Sequence, residues 1–455
     1  MRTPSRRWTT IGVVLMIVAA VAVAVTVFTS SDAPGQSEAA VRAIKGGKAK
    51  NVILLIGDGM GDSEITLARN YTVGANGRLN LDRFPLTGSY TTFSVYEDGS
   101  PDYVTDSAAS GSGWATGFKT VNGRISKTPD DRTVPTILEL AQKGGYATGS
   151  VTTASLTDAT PAVIASHATD RSCQGPADMA KCPADTHAEG GPGSIAEQSV
   201  SNRVDVLFGG GGDLFGQRIT EGTYKGMTVT EQARKIGYQI VTDSASMDAA
   251  KPGRPVLGLF STDDLPTRWT GEPAKRGGGD WQRCNTANPN YPSTTPSLAE
   301  METKAIQLLE DKQRRRGSQQ GFFLQVEGAS IDKRDHAADP CGQIGETVAF
   351  DRAVKVARDY AAEHPDTLVV ATADHAHTSQ IVPLDAEPPG LSATLITDEG
   401  RQMKVNYSTN TPGRRQEHTG TQVRIAAEGP QAYRVLGVTD QTELFTTLRK
   451  AMRLR

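Results

Sequence analysis

The chain has 455 residues, enough for one large domain or for two to three domains of ordinary size. Lysine and arginine number 48 against 51 aspartate and glutamate, a net charge of −3, which argues against nucleic acid bound through bulk charge. With 22% charged residues, 47 glycines and no short-period repeat, the composition excludes a disordered tail, a coiled coil, a collagen, a solenoid and a propeller.

The first predicted element is an export segment. Three arginines within the first seven residues precede an uncharged apolar run over residues 11–28, and a small, polar stretch follows over residues 29–37. Regions of this kind in this order are typical of a secretory signal. As a helix, the apolar run would span roughly 27 Å, close to the ~30 Å hydrocarbon core of a bilayer. Cleavage of the segment and its retention as a membrane anchor therefore both stay open.

Both outcomes predict an exported protein that is secreted, periplasmic or held at the cell surface, because the flanking arginines favour the cytoplasmic side of a membrane. We expect residues 1–45 to form the signal or anchor with a linker. Residues 46–455 are expected to form one folded catalytic domain.

The four cysteines agree with export, because disulfides persist in oxidising compartments. Four cysteines allow three pairings, of which the simplest joins Cys173 to Cys182 and Cys284 to Cys341. No CxxC motif occurs, which disfavours a zinc cluster. Reduced, structural thiols remain the alternative on the sequence alone.

The body of the chain alternates between strand-like and helical patterns. Near-continuous apolar runs, typical of strands buried on both faces, cover residues 51–56, 321–326 and 367–372. Helical patterns cover residues 136–143, 297–309 and 347–363. This alternation predicts an α/β fold with a large, mainly parallel central sheet flanked by helices. The stretch 263–296, rich in Gly, Asp and Pro, predicts a long excursion or a linker.

Polar side chains follow the three predicted strands, at the edge where open α/β sheets form their sites. These strand ends and one later turn supply oxygen and nitrogen donors, namely Asp58, Glu327, Asp332, His336, Asp374, His375 and His418. Such donors without thiolates suit Zn²⁺ together with Mg²⁺. Any one of them alone is equally well explained as a turn or a solvated pair, but their conjunction predicts a metal site. The remaining histidines are expected to be structural or solvated: His167, His187, His364 and His377.

A dense run of small residues over 106–117 contains a candidate nucleophile. Ser107 would begin a helix there, where free backbone amides and the helix dipole favour a bound anion. An N-cap is an equally good interpretation of this serine from its position. The run is not a Gly-x-Ser-x-Gly elbow, which disfavours an acyl hydrolase triad.

Six sequence blocks occur in a specific order, over residues 51–62, 104–110, 157–161, 326–333, 373–377 and 417–420. Together they resemble the alkaline phosphatases, in particular the bacterial periplasmic type, from about Lys48 to the C-terminus. The resemblance implies an alkaline phosphatase-like fold, a homodimer, two disulfides and two Zn²⁺ with one Mg²⁺ per subunit. It also implies hydrolysis of small phosphomonoesters with broad specificity.

The resemblance implies a role for each site residue. Ser107 corresponds to the nucleophile that becomes phosphoserine, and Arg171 to the phosphate-binding arginine. The ligands of the first zinc would be Asp332, His336 and His418. Those of the second zinc would be Asp58, Asp374 and His375. The magnesium ligands would be Asp58, Thr160 and Glu327, with Asp158 and Lys333 as the pair that the bacterial type carries beside them.

The implied reaction is attack of Ser107 on a phosphomonoester, followed by hydrolysis of phosphoserine by zinc-activated water. Three divalent cations, Arg171 and Lys333 would outweigh the site's carboxylates, and this positive excess suits a dianionic monoester. Two alternatives stay open. One is a phosphodiesterase or sulfatase of the same metal-site superfamily, and the other is a non-catalytic phosphate- or metal-binding export protein.

Overall fold

The computed structural model describes residues 36–455, so the predicted export segment over residues 11–28 lies outside the described part. Within residues 36–455, no helix combines the length and apolar character needed to cross a membrane. A short helix, α1 (Gln36–Ala43), occupies the end of the stretch that was predicted to be a linker.

The described residues form fifteen strands and thirteen α-helices. The strands are β1 (Asn51–Gly57), β2 (Leu86–Thr91), β3 (Ser94–Val95), β4 (Pro101–Asp102), β5 (Ala147–Ser155), β6 (Val206–Gly210), β7 (Gln239–Val241), β8 (Val256–Leu259), β9 (Phe322–Gly328), β10 (Thr367–Ala373), β11 (Gln380–Val382), β12 (Leu391–Ile396), β13 (Gln402–Tyr407), β14 (Val423–Glu428) and β15 (Gly437–Asp440). The further helices are α2 (Asp62–Thr72), α3 (Ser107–Thr116), α4 (Ile137–Lys143), α5 (Ala159–Ala165), α6 (Ile195–Ser201), α7 (Gly212–Phe215), α8 (Val229–Lys235), α9 (Ser244–Asp248), α10 (Leu298–Arg316), α11 (Ser330–His336), α12 (Pro340–Glu363) and α13 (Gln441–Met452). Short 3₁₀ segments cover Leu81–Arg83, Pro176–Lys181, Pro183–Asp185, His187–Glu189 and Ala432–Val435.

A ten-stranded sheet forms the centre of the fold, in the order β15-β2-β14-β10-β1-β9-β5-β6-β8-β7. The seven strands from β10 to β7 run parallel, and β14 pairs antiparallel with both of its neighbours. Helices pack against this sheet, for example α10 on β5 and α12 on β9 and β10. The predicted α/β fold with a large, mainly parallel sheet is therefore confirmed.

The three predicted strands lie side by side at the centre of the sheet. β1, β9 and β10 are buried along their whole length, as their near-continuous apolar sequences require. β1 pairs in parallel register with both of the others, so Gly57 lies opposite Gly328 and Ala373. The residues that follow these three strands therefore leave the sheet at one edge.

The predicted helices are present, and two of them are longer than expected. α4 begins after Thr136, whose side chain forms a capping box with Glu139. α10 continues beyond the predicted end to Gly317, which has a left-handed φ of 59°. α12 begins at Pro340, about two turns before the predicted start. The glycines in its first turns obscure the helical pattern, yet Gly345 is required there because a Cβ would lie 2.5 Å from Trp269.

Residues 263–296 contain isolated β-bridges but no helix or strand, and they pack against the rest of the domain. Trp269 and Cys284 join a small second core with residues of α2, α12 and the three-stranded sheet β11-β13-β12. A disulfide from Cys284 to Cys341 ties this excursion to α12. The second disulfide joins Cys173 to Cys182, so the structure has the simplest of the three pairings.

Candidate active site

The carboxyl-terminal edge of β10, β1 and β9 carries the candidate site. Asp58 follows β1, Asp374 and His375 follow β10, and α11 begins two residues after β9. The turn before β14 brings His418 to the same edge, where the main chains of Thr419 and Ala376 form an isolated bridge. Strand order therefore brings together residues that are more than 350 positions apart in the chain.

One group of candidate ligands contains the three predicted for the first zinc, joined by His377: Asp332, His336, His377 and His418. Each of the three imidazoles directs Nε2 at the same oxygen, Oδ1 of Asp332, at 3.1–3.2 Å. Burial alone would raise the pKa of Asp332, but the three histidines that face its carboxylate lower it well below its usual value. Nε2 of His336 and Nε2 of His418 lie 3.1 Å apart, so two nitrogen ligands face the same point.

Main-chain carbonyls orient two of these imidazoles. Nδ1 of His336 contacts the carbonyl oxygen of Gln416, and Nδ1 of His418 lies 3.0 Å from that of Thr105. A hydrogen bond at Nδ1 leaves Nε2 as the atom that faces the site, which is how metal-binding histidines are commonly held. The sequence motifs did not indicate either carbonyl.

His377 lies beside the first group of ligands, and its expected structural rather than ligand role stays a prediction. Its side chain is buried against Asp332, and burial lowers its pKa to about 4. A signal was present in the sequence, since His377 lies two residues after His375 just beyond a strand. The other three histidines lie in structural contacts elsewhere, as expected: His167, His187 and His364.

The second group contains the three residues predicted for the second zinc: Asp58, Asp374 and His375. Nε2 of His375 lies 3.2 Å from Oδ2 of Asp374 and 3.5 Å from Oδ1 of Asp58. The amides of Gly59 and His375 donate to the other oxygen of Asp374, at 2.8 and 2.9 Å, which fixes the carboxylate. Burial lowers the pKa of His375 well below its usual value, so the imidazole is neutral and able to act as a ligand.

Asp58 was also predicted for the third set of ligands, with Thr160 and Glu327, and it lies within range of the Glu327 charge. Burial, together with the charges of Asp374, Asp332 and Glu327, raises the pKa of Asp58 well above its usual value. Burial raises the pKa of Glu327 to about 8, although the hydroxyl of Thr152 donates to it. These groups therefore form a buried acidic set that is not neutralised by the basic side chains around it.

Unsatisfied oxygens test whether this site suits metal ions. Among the predicted metal ligands, four buried oxygen atoms have no hydrogen-bond partner within the described residues: Oδ1 of Asp58, Oδ1 of Asp332, Oδ2 of Asp374 and Oγ1 of Thr160. An unsatisfied buried acceptor costs about 1–3 kcal/mol, and more when it is charged. Carboxylate, hydroxyl and imidazole donors without thiolate fit Zn²⁺ and Mg²⁺, so the residues present suit divalent cations.

Ser107 is the first residue of α3 and is buried beside the second group. The cap of this helix is Asp106, whose carboxylate accepts from the amides of Ala109 at 2.9 Å and Gly123 at 3.0 Å. The interpretation of Ser107 as the N-cap is therefore wrong. Its Oγ lies 3.3 Å from Nε2 of His375, at the positive end of the helix dipole.

Arg171 and Lys333 line a cavity at this edge of the sheet and share Asp158. Arg171 bonds Asp158 at 2.8 Å and Asp106 at 3.2 Å. Lys333 bonds the other oxygen of Asp158 at 2.8 Å and Asp264 at 2.6 Å. Burial alone would raise the pKa of Asp158, but Lys333 and Arg171 lower it. Sequence reasoning missed Asp264, which comes from the excursion and carries no local signal.

These residues surround an open cavity of about 760 Å³. Its wall contains groups from all three ligand sets and the two cations, with Ser172, Gln174, Ala337 and Arg415 as further lining residues. The disulfide Cys173–Cys182 begins two residues after Arg171 and closes the loop that follows it. The arrangement can bind a phosphate group next to a buried serine and several cation ligands.

Comparisons with known proteins identify the family of the chain. The family model described as alkaline phosphatase matches residues 49–402 and 390–454. The chain is 57% identical to a streptomycin-6-phosphate phosphatase of Streptomyces griseus, over 100% of this chain and 99% of the relative. It is 49% identical to an alkaline phosphatase of Escherichia coli (strain K12), over 92% of this chain and 90% of the relative. The solved structure of the alkaline phosphatase from the Antarctic bacterium TAB5 is 25% identical in sequence, with a TM-score of 0.66, and the match covers 90% of this chain and 99% of that chain. The structure of a TAB5 variant with Mg bound matches with a TM-score of 0.64.

Proposed function

The chain belongs to the alkaline phosphatase family, and from this premise we propose that it is an exported phosphomonoesterase with a phosphoserine intermediate on Ser107. The observation that carries the proposal is the position of the Ser107 hydroxyl. It is buried at a helix N-terminus, 3.3 Å from Nε2 of His375. The same nitrogen lies 3.5 Å from Asp58, which lines the cavity together with Arg171. A protein that only bound phosphate or metal would need no nucleophile at this point.

Three cations would be held by the groups described above. We propose that Asp332, His336 and His418 hold one zinc and that Asp58, Asp374 and His375 hold a second. Asp58, Thr160 and Glu327 would hold magnesium, and oxygen-only ligands together with the Mg-bound TAB5 variant support this choice. When bound, such metals supply charge stabilisation for the attacking and leaving oxygens and lower the pKa of a hydroxyl or water.

The residues of the chain supply positioning. Arg171 presents its planar fork to two phosphate oxygens, because its ion pairs with Asp106 and Asp158 hold the guanidinium in place. Amides at the start of α3 and the Lys333 ammonium add positive potential on the same side. Oγ of Ser107 attacks phosphorus, and the ester P–O bond breaks to release the alcohol. Water then breaks the Oγ–P bond, which returns the hydroxyl of Ser107 and releases inorganic phosphate.

Charge and size favour a monoester over a diester or a sulfate. A monoester is dianionic and brings no second bulky group, so it gains most from the cations and from Arg171. We expect broad tolerance of the alcohol, since the protein contacts assigned so far are all to the phosphate. The test compares 4-nitrophenyl phosphate, bis(4-nitrophenyl) phosphate and 4-nitrophenyl sulfate, each with and without chelator. Faster turnover of the diester or the sulfate would contradict the proposal.

A second candidate substrate comes from the Streptomyces griseus relative. That protein's name gives streptomycin 6-phosphate as its substrate, and the two chains are 57% identical over 100% of this chain. Measuring kcat/KM for streptomycin 6-phosphate beside 4-nitrophenyl phosphate distinguishes the two. A large preference for the aminoglycoside ester would favour the specialised function, and similar values would favour broad specificity.

Export and dimer formation are further parts of the proposal. Two disulfides fit a protein that folds in an oxidising compartment. Fractionation of the producing cell, with and without detergent, measures whether the chain is released or anchored. Size-exclusion chromatography with light scattering measures whether the subunit pairs with a second copy.

A further inference from the structure

Three cationic side chains line the cavity, and only two of them have partners among residues 36–455. Arg171 and Lys333 are each held by two carboxylates, so much of their charge is already balanced. Arg415 is exposed, and its guanidinium forms no hydrogen bond or ion pair with residues 36–455. An unpaired arginine on the wall of a substrate cavity is available to a ligand.

The main chain around Arg415 is fixed next to the first group of ligands. The amide of Gln416 donates to the carbonyl oxygen of His336 at 3.0 Å, and its own carbonyl oxygen contacts Nδ1 of that histidine. The carbonyl oxygen of Arg415 accepts from the amide group of Asn410 at 3.0 Å. Arg415 is therefore next to a residue whose main chain is held against His336, and it precedes His418 by three positions.

We propose that Arg415 determines substrate preference, favouring phosphomonoesters whose alcohol carries a second anionic group, either a carboxylate or a phosphate. The inference rests on the proposed function, in which the buried cations, Arg171 and Ser107 hold the phosphate and the alcohol extends into the cavity. A guanidinium binds carboxylate and phosphate oxygens through two parallel hydrogen bonds. A cationic alcohol such as an aminoglycoside meets the same group with like charge.

The effect has a limited size because Arg415 is exposed to solvent. Exposed ion pairs contribute little, so the preference for an anionic alcohol over a neutral one corresponds to about 2- to 5-fold in kcat/KM. Salt screens such pairs, so the preference decreases between low and high ionic strength. Broad specificity is retained, with a bias that follows the charge of the alcohol.

The experiment measures kcat/KM of the metal-loaded full chain for three small esters. These are 3-phosphoglycerate, glycerol 3-phosphate and phosphocholine, whose alcohols are anionic, neutral and cationic. The wild type is expected to prefer them in that order. Arg415→Gln lowers the ratio of kcat/KM for 3-phosphoglycerate to kcat/KM for glycerol 3-phosphate by about 2- to 5-fold. Arg415→Glu shifts the preference towards phosphocholine, and Arg415→Lys keeps part of the wild-type ratio because it keeps the charge.

Arg414→Gln is the matched control, because Arg414 is an exposed neighbour that does not line the cavity. This variant keeps the wild-type ratio if the effect belongs to Arg415. A ratio that is the same in Arg415→Gln as in the wild type overturns the inference, and so does an equal change in Arg414→Gln. If the wild type hydrolyses none of the three esters, the proposed function fails instead, so the two failures are distinguishable.

Discussion

Removing the metals should destabilise the folded protein, and the loss of stability should be larger at alkaline pH. Without metal ions, the buried carboxylates of the site have no counter-charge, among them Asp58 and Glu327. In the metal-free chain, burial raises the pKa of Glu327 from 4.5 to about 8. The folded state then binds a proton more tightly than the unfolded state, so stability is present below pH 4.5 and is lost as the pH rises to about 8.

The magnitude follows from this shift. One pKa unit corresponds to about 1.4 kcal/mol, so a shift of this size for a coupled, buried group is worth on the order of a few kcal/mol. The entropy of unfolding is about 2.1 cal/mol/K per residue, or roughly 0.9 kcal/mol/K for the folded domain. Each 1 kcal/mol therefore corresponds to about 1 °C. Between pH 6 and pH 9 this group loses about 2 of its pKa units, so the metal-free protein should melt roughly 3 °C lower at pH 9 than at pH 6.

Differential scanning calorimetry of the metal-loaded and the chelated protein at pH 6 and pH 9 measures both effects. The metal-loaded protein should melt higher at both pH values, because ligand binding to the folded state alone raises its stability. Glu327→Gln serves as the control variant, since it removes this titration and should flatten the pH dependence of the chelated form. Equal melting temperatures with and without chelator, at full activity, would refute the metal assignment.

Three further predictions concern the chemistry. Ser107→Ala should abolish the phosphoenzyme and most of kcat, because water must then attack directly; acid-quenched labelling with radioactive phosphate measures this, and label on another residue would contradict the assignment. Arg171→Ala should weaken inhibition by inorganic phosphate about 10- to 100-fold, since charge-assisted hydrogen bonds contribute about 1.5–3 kcal/mol; unchanged inhibition would mean that the pocket is elsewhere. Changing Asp158 and Lys333 both to His should weaken Mg²⁺ binding and admit zinc at that site, because imidazole favours zinc. Metal analysis with a magnesium titration tests the double variant, and unaltered occupancy would disprove this role.

Some elements of the fold could be predicted because the sequence pattern that specifies them lies within the element itself. The strand pattern over residues 51–56 predicted β1 to within one residue, since a strand buried on both faces needs an unbroken apolar run. The helical pattern over residues 136–143 predicted α4 to within one residue, and the structure shows a capping box of Thr136 and Glu139 at its start. The early start of α12 was missed, because Gly345 has low helix propensity and is explained only by its contact with Trp269.

By itself, the sequence determined the fold class, the family and most candidate ligands, because carboxylates and imidazoles follow strands in recognisable motifs. Only the tertiary structure decided which of these side chains meet. The central order β10-β1-β9 brings Asp58 beside Asp374, 316 positions along the chain. The excursion supplies Asp264 to Lys333, and Arg415 reaches the cavity wall from an exposed loop. The physical reason is that strand order and loop packing depend on contacts between distant residues, which local periodicity and spacing do not encode.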